Sequence, residues 1–240
     1  MTIEIHKLVN FKMKNPIMIV GLPGTGLVGS ISASYLVDAL NMDFVGYITS
    51  PEFAPLAAIH DYKPLPPARI HYSKKLNLLV VLSEMSIPIG ASMDLASSVL
   101  ALAKSVKAKS IISLGGIALK ENPKALYAIS SNDKLSEYFF AGDKCKKIRE
   151  GATTGVSGVL LTMGVVEKFP VLLLLAEASE DYMDPGAASN ILKLLSQYLK
   201  VDIDTKKLDK ESKELASSLR DTVVKSKIPY KKSSMGSMYG

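Results

Sequence analysis

The sequence predicts an α/β protein with three layers: a mostly parallel, mixed central sheet with helices on both faces. Three observations carry that prediction. Short apolar runs of strand length alternate along the chain with longer helix-like segments. Three of those runs, at 16–20, 110–114 and 171–176, are separated by helical segments, which implies right-handed crossovers and parallel pairing. Two further runs, 69–72 and 76–82, are joined only by Ser73-Lys74-Lys75, a connection that suits an antiparallel pair and makes the sheet mixed.

Taken in order, Pro16-Ile17-Met18-Ile19-Val20 is the first buried strand. The turn Gly21-Leu22-Pro23-Gly24-Thr25-Gly26 follows and opens a helix over 26–40. Asp38 is the only charge in that helix, so cover on more than one side is expected. Residues 43–49 form the second strand. In 50–67, five prolines (Pro51, Pro55, Pro64, Pro66, Pro67) forbid a long helix and leave an irregular excursion. Over 89–106, Met93, Ala96, Val99, Leu100 and Ala103 recur on one helical face. The strand 110–114 ends in Gly115-Gly116. A shorter strand at 125–131, a short helix at 133–140 and a charged loop at 141–150 come next. Residues 153–168 begin with small side chains and become a helix, and 171–176 is the last central strand. Asp184-Pro185 is a helix start, with Asp as N-cap and Pro at the first helical position; that helix runs to about 199. A final amphipathic helix spans about 205–224, with Leu208, Leu215, Leu219 and Val223 on one side. Residues 1–224 are therefore expected to form one domain.

Residues 225–240, KSKIPYKKSSMGSMYG, differ in kind. They hold four lysines, no acid, four serines, two glycines and a proline, too little apolar surface to offset the entropy of ordering, so a flexible basic tail is expected. This tail supplies +4 of the formal +6 net charge and leaves +2 for the 224 residues before it. The body thus lacks the basic imbalance of a nucleic-acid groove, and its three arginines and 7% aromatic content give few phosphate forks or stacking platforms. No apolar run approaches the length of about eighteen residues that spans a bilayer. Glu4 and the lack of a long apolar run argue against a signal peptide, and the single Cys145 fits a reducing compartment, so a cytoplasmic protein is expected.

Few residues suggest chemistry. Gly24-Thr25-Gly26-Leu27-Val28-Gly29 matches G-x-G-x-x-G after a strand and before a helix, where such a loop can cradle a phosphate. Gly24, Gly26 and Gly29 are therefore candidate ligand-loop residues for a nucleotide- or phosphate-binding enzyme or sensor. The competing use of the same glycines is close packing of the helix start. His6, His60 and His71 are dispersed, with no metal-ligand spacing, and no cofactor is expected. His60-Asp61 reads as loop residues, because neighbours in an extended chain point apart. Glu84, Glu177 and Glu180-Asp181 follow strands and read as solvated charges, and Cys145, flanked by lysines, as a surface thiol. No catalytic constellation emerges. The nearly uncharged helix 26–40 and the apolar Phe53, Leu56, Ile59, Tyr62 and Leu65 of the excursion suggest a homo-oligomer.

Several blocks then resemble a known family when read in order. They are Gly21 to Gly29, Ser50-Pro51-Glu52 with Pro55-Leu56-Ala57, Ser83-Glu84, Leu114-Gly115-Gly116-Ile117-Ala118, Gly155-Val156-Ser157-Gly158-Val159-Leu160, and Asp184-Pro185 with Ala187-Ala188. In this order they resemble the proteasome-assembly-chaperone family in its archaeal, PAC2-like form. The resemblance implies a phosphorylase/hydrolase-like three-layer fold, homo-oligomers, no catalytic residues, and contact with proteasome α-subunits. It also gives the chain end a meaning. Met238-Tyr239-Gly240 fits hydrophobic-Tyr-any (HbYX), a motif with which proteasome activators and assembly factors enter pockets between α-subunits. In such a pocket a terminal carboxylate pairs with a lysine, the tyrosine offers apolar area with a hydroxyl, and the preceding residue fills an apolar slot. The expected function is binding of the 20S α-ring, as assembly chaperone homologue or ATP-independent activator.

Overall fold

The computed structural model describes residues 3–9, 13, 15–119, 122 and 124–215. Its centre is four adjacent parallel strands, β7 (Leu78–Ser83), β2 (Ile17–Gly21), β8 (Ser110–Ile117) and β11 (Val171–Glu177). On one side the sheet continues antiparallel through β6 (Ala68–Ser73), β3 (Asp43–Thr49) and β1 (Glu4–Lys7). On the other, β9 (Leu126–Ser130) runs antiparallel to β11, and the two-residue β10 (Lys146–Lys147) closes the edge. The nine strands make a mixed sheet in the order β1-β3-β6-β7-β2-β8-β11-β9-β10.

Alternation along the strands divides the core into two layers. Ile19, Ile112, Leu172 and Leu174 face α1 (Val28–Ala39), α3 (Asp133–Phe140) and α5 (Pro185–Leu199). Met18, Val20, Ile111 and Val171 face α2 (Ser92–Ser105) and α4 (Gly155–Val166). The predicted three layers are therefore present. Each of these aliphatic side chains contributes about 1.5–3 kcal/mol by leaving water.

Helix ends follow capping chemistry. Asn132 Oδ1 accepts from the Leu135 N–H to start α3, and Asp184 Oδ1 accepts from the Ala187 N–H to start α5. At the far ends of α1, α2, α4 and α5 the chain turns through Asn41, Lys107, Lys168 and Lys200, all left-handed. The next N–H reaches back five residues in each case: Met42 to Val37, Ala108 to Ala103, Phe169 to Gly164, and Val201 to Ser196. No glycine marks these stops; three of them instead place a lysine against the negative end of the helix dipole.

Several expectations need correction. α1 begins at Val28, not at residue 26, because Gly26 and Leu27 are left-handed, at φ 62° and 52°. β1 was not anticipated: its Ile5, with Ile3 just before it, packs on the core, while Glu4 and Lys7 face solvent. The excursion 50–67 contains a two-stranded hairpin, β4 (Ala58–His60) and β5 (Lys63–Leu65), and the charged segment 141–150 contains β10. Cys145 is not on the surface. It is buried in the α1/α5 layer, and burial pushes its thiol up to about 12 despite Lys144. Of the expected last helix, residues 206–215 are helical (α6). Its remainder and the tail 225–240 lie outside the described residues.

Candidate functional site

The C-terminal ends of β2, β7, β8 and β11 meet at the glycine-rich turn. β2 ends at Gly21, which lies against Ala33 and the Gly29 carbonyl of α1. A Cβ on Gly29 would stand 2.5 Å from the carbonyl oxygens of Leu22 and Leu114. Gly26 faces Ala178 and the Asp184 side chain, and its carbonyl accepts from the Asp184 N–H at 2.8 Å, tying the start of α5 to the turn. Gly21, Gly26 and Gly29 thus occupy positions where a side chain would meet neighbouring backbone or Cβ atoms, the close-packing use of the motif. Only Gly24 has open space where a side chain would go.

Beside this turn lies a cluster that the sequence did not reveal. Arg69 is paired across β6–β7 with Leu82, two residues before Glu84. Its side chain is 4% exposed, and its fork grips Glu84: Nη2 to Oε1 at 2.8 Å and Nη1 to Oε2 at 3.2 Å. Ser34 of α1 donates to Oε1 at 3.1 Å, and His60 Nε2 sits 2.9 Å and 3.0 Å from the two oxygens. Burial pushes the Glu84 carboxyl up, but the bonds from Arg69 and His60 outweigh it and hold the group below its ordinary value. Glu84 is therefore a hydrogen-bonded, ion-paired anchor rather than a solvated loop charge. His60 reaches it because Asp61 and Tyr62 make a two-residue turn with both φ positive, which folds β4 back on β5. The turn lacks the Asn-Gly or Asp-Gly pair that would have announced it.

Glu177 is also buried rather than solvated. It accepts from the Leu119 N–H at 2.9 Å and faces the Tyr127 hydroxyl at 3.5 Å. His6 stacks on Tyr47, and His71 is buried next to Phe44, so the three histidines stay apart. Among the described residues no group of three or more His, Cys, Asp or Glu is arranged to hold a metal ion.

The cluster closes one end of a groove of about 530 Å³. α1 supplies one wall with Ile31 and Tyr35, extended by Leu27 just before it, and α6 the other with Leu208. Asp38 and Glu211 also line it, from α1 and α6 respectively. The Tyr35 hydroxyl donates to the Asp204 carbonyl at 2.7 Å; burial, then the charges of Asp204, Glu211 and Asp209, push its phenol above the usual value. Next to the groove, the hairpin exposes Ile59 and Tyr62, with Leu56 exposed just before it. Among the described residues no helix is long and apolar enough to cross a membrane. Met238, Tyr239 and Gly240 lie outside the described residues.

The described residues thus form a mixed α/β sheet with an ion-pair cluster beside its glycine turn and a partly apolar groove next to it. The chain belongs to the PAC2 family, whose model matches residues 18–223. It is 28% identical over 210 residues, 88% of this chain and 86% of the relative, to a Methanocaldococcus jannaschii protein that is itself uncharacterised. Its fold is similar to that of Pyrococcus furiosus PbaA, described as an archaeal homologue of proteasome-assembly chaperone. There the TM-score is 0.81 at 28% identity, over 93% of this chain and 92% of that one. It is also similar to Pyrococcus furiosus PbaB, described as an archaeal proteasome activator: TM-score 0.79, 25% identity, 92% of this chain and 98% of that one.

Proposed function

We propose that this chain is a proteasome-binding protein, an assembly chaperone homologue or ATP-independent activator, that engages the 20S α-ring through Met238-Tyr239-Gly240. The observation that carries the reading is the likeness to PbaA and PbaB over more than nine-tenths of this chain. The hydrophobic-Tyr-any ending adds to it independently. In this reading the body is a non-catalytic cytoplasmic scaffold. One docked end binds weakly, because ordering it opposes the contacts it makes; several ends on one oligomer bind far more tightly. The exposed Ile59 and Tyr62 of the hairpin, with Leu56 just before it, support self-association as the source of those copies.

Co-purification with 20S particles, together with stimulation of peptide hydrolysis, tests the reading. Tyr239→Ala, and a variant extended by two alanines beyond Gly240 to displace the carboxylate, are each expected to lose association by about tenfold or more. Their thermal unfolding should match the parent. Undiminished co-purification of both variants would refute the proposal.

A further inference from the structure

We infer that Tyr62, at the tip of the β4–β5 hairpin, inserts into the groove between α1 and α6 of a second copy of this chain, while the second copy's hairpin tip enters the groove of the first.

Four observations carry the inference. First, Tyr62 is the most exposed large hydrophobic side chain among the described residues, yet it is held firmly. Asp61 and Tyr62 form the two-residue turn at φ 47° and 64°, the left-handed region that residues with side chains disfavour. The hairpin that carries them is tied to the body where His60 meets Glu84. A strained, anchored turn that presents one aromatic ring is a preorganised knob.

Second, a hole lies beside the knob. The groove of about 530 Å³ has Leu27, Ile31 and Leu208 on its apolar walls, and His60, on the hairpin itself, belongs to its lining. Tyr62 lies wholly outside its own groove, and a two-residue turn has no slack with which to fold the ring back into it. A ring that fills the groove therefore comes from another molecule.

Third, the arrangement is self-complementary. A two-fold axis running between hairpin and groove exchanges their positions, so each hairpin falls over the other copy's groove. That requires knob and hole to be neighbours on one face, as they are here. Fourth, the charges match in both directions. Tyr62 stands between Asp61 and Lys63, and the rim of the groove holds Asp38, Glu211 and Lys207; all of these are exposed. None of them joins an ion pair among the described residues. Across the contact Lys63 meets the two carboxylates and Asp61 meets Lys207, whereas Glu84 is already held by Arg69. Such rim pairs give specificity, and the buried ring is the anchor. The inference rests on the self-association in the reading above and supplies its geometry.

The test mixes full-length chain in which the photocrosslinker benzoylphenylalanine replaces Tyr62 with nitrogen-15-labelled parent chain. Irradiation is expected to join an unlabelled hairpin peptide to a labelled peptide that contains Leu27, Ile31 or Leu208, which only contact between copies can produce. Sedimentation is the second readout. Tyr62→Ala should raise the Kd of pairing by about thirtyfold or more, and Lys63→Glu by about fivefold. Adding Glu211→Lys to Lys63→Glu should restore pairing, which also shows that the single variant still folds. Crosslinks confined to one chain, or to labelled peptides elsewhere, would overturn the inference. So would a monomeric parent, or a Tyr62→Ala or Lys63→Glu variant that pairs as tightly as the parent. No readout involves 20S particles. Copies that meet through another surface would sink this geometry and leave the tail reading intact, and tails that fail to hold 20S particles would leave the crosslink unchanged.

Discussion

Arg69 holds Glu84 with two hydrogen bonds, Nη2 to Oε1 at 2.8 Å and Nη1 to Oε2 at 3.2 Å, from a side chain that is almost wholly buried. Through Glu84 the strand β6, the helix α1 (Ser34) and the proline-rich hairpin (His60) are joined at one carboxylate. Removing the carboxylate strands the guanidinium. Glu84→Gln is expected to destabilise the protein by about 3 kcal/mol, read as a lower urea midpoint with an unchanged slope. Replacing both partners, Arg69→Met with Glu84→Met, should recover most of that loss, because no charge is then left buried alone.

Acid stability should decline in two stages. Burial, then the charge of Arg69, lower His71 from 6.5 to about 4, against the opposing effects of the Met42 carbonyl and Glu84. A base with a depressed folded pKa favours the folded state fully above 6.5; that contribution, on the order of 3 kcal/mol, is lost as pH falls from 6.5 to about 4 and is constant below. Glu84, also depressed, contributes above the ordinary glutamate value of 4.5 and loses its contribution as pH falls through its lower folded value. Melting temperatures across pH 3–8 check this: His71→Phe should remove the upper stage and leave the lower one.

The glycine turn should respond residue by residue. Gly29→Ala drives a methyl group into two carbonyl oxygens and is expected to cost about 2–3 kcal/mol. Gly24 is extended, with open space around it, so Gly24→Ala should change stability by no more than about 0.5 kcal/mol. Chemical denaturation of the two variants side by side would show the contrast; equal effects would contradict the packing role.

Cys145 should be inert in the native state. Its thiol is buried and pushed up to about 12, so almost no thiolate exists near neutral pH. Labelling by a thiol reagent at pH 8 should therefore proceed only at the rate of unfolding, and should accelerate at once in denaturant.

Much of the architecture is written locally. The runs at 17–20 and 171–176 are apolar throughout, and that alone marks strands covered on both faces. Asp184-Pro185 caps α5 as its chemistry requires, and α3 occupies 133–140 as expected. The helix stops at Lys107, Lys168 and Lys200 were less legible, because the residue usually used there is glycine and the bond pattern, not the residue type, closes the turn. Cys145 was misread for a related reason. Flanking lysines describe its neighbours in the chain, whereas its burial depends on the core cluster it joins and on its place beside α3, where its N–H donates to the Phe139 carbonyl at 2.9 Å.

The candidate site was the least legible part. Arg69, Glu84 and His60 lie 9 to 24 positions apart, with no motif connecting them. Read singly, Glu84 was a loop charge and His60 a turn residue. Composition and periodicity were sufficient for the α/β class, the central strands and most helices, and the charge contrast between a near-neutral body and a basic end, because those properties depend on each residue's own chemistry and its near neighbours. Only the tertiary structure decided that β6 and β7 bring Arg69 under Glu84, that the glycines serve close packing, and that α1 and α6 leave an acid-rimmed groove between them. Those outcomes depend on which strands pair and how closely helices approach, and such long-range geometry is set by the whole core at once.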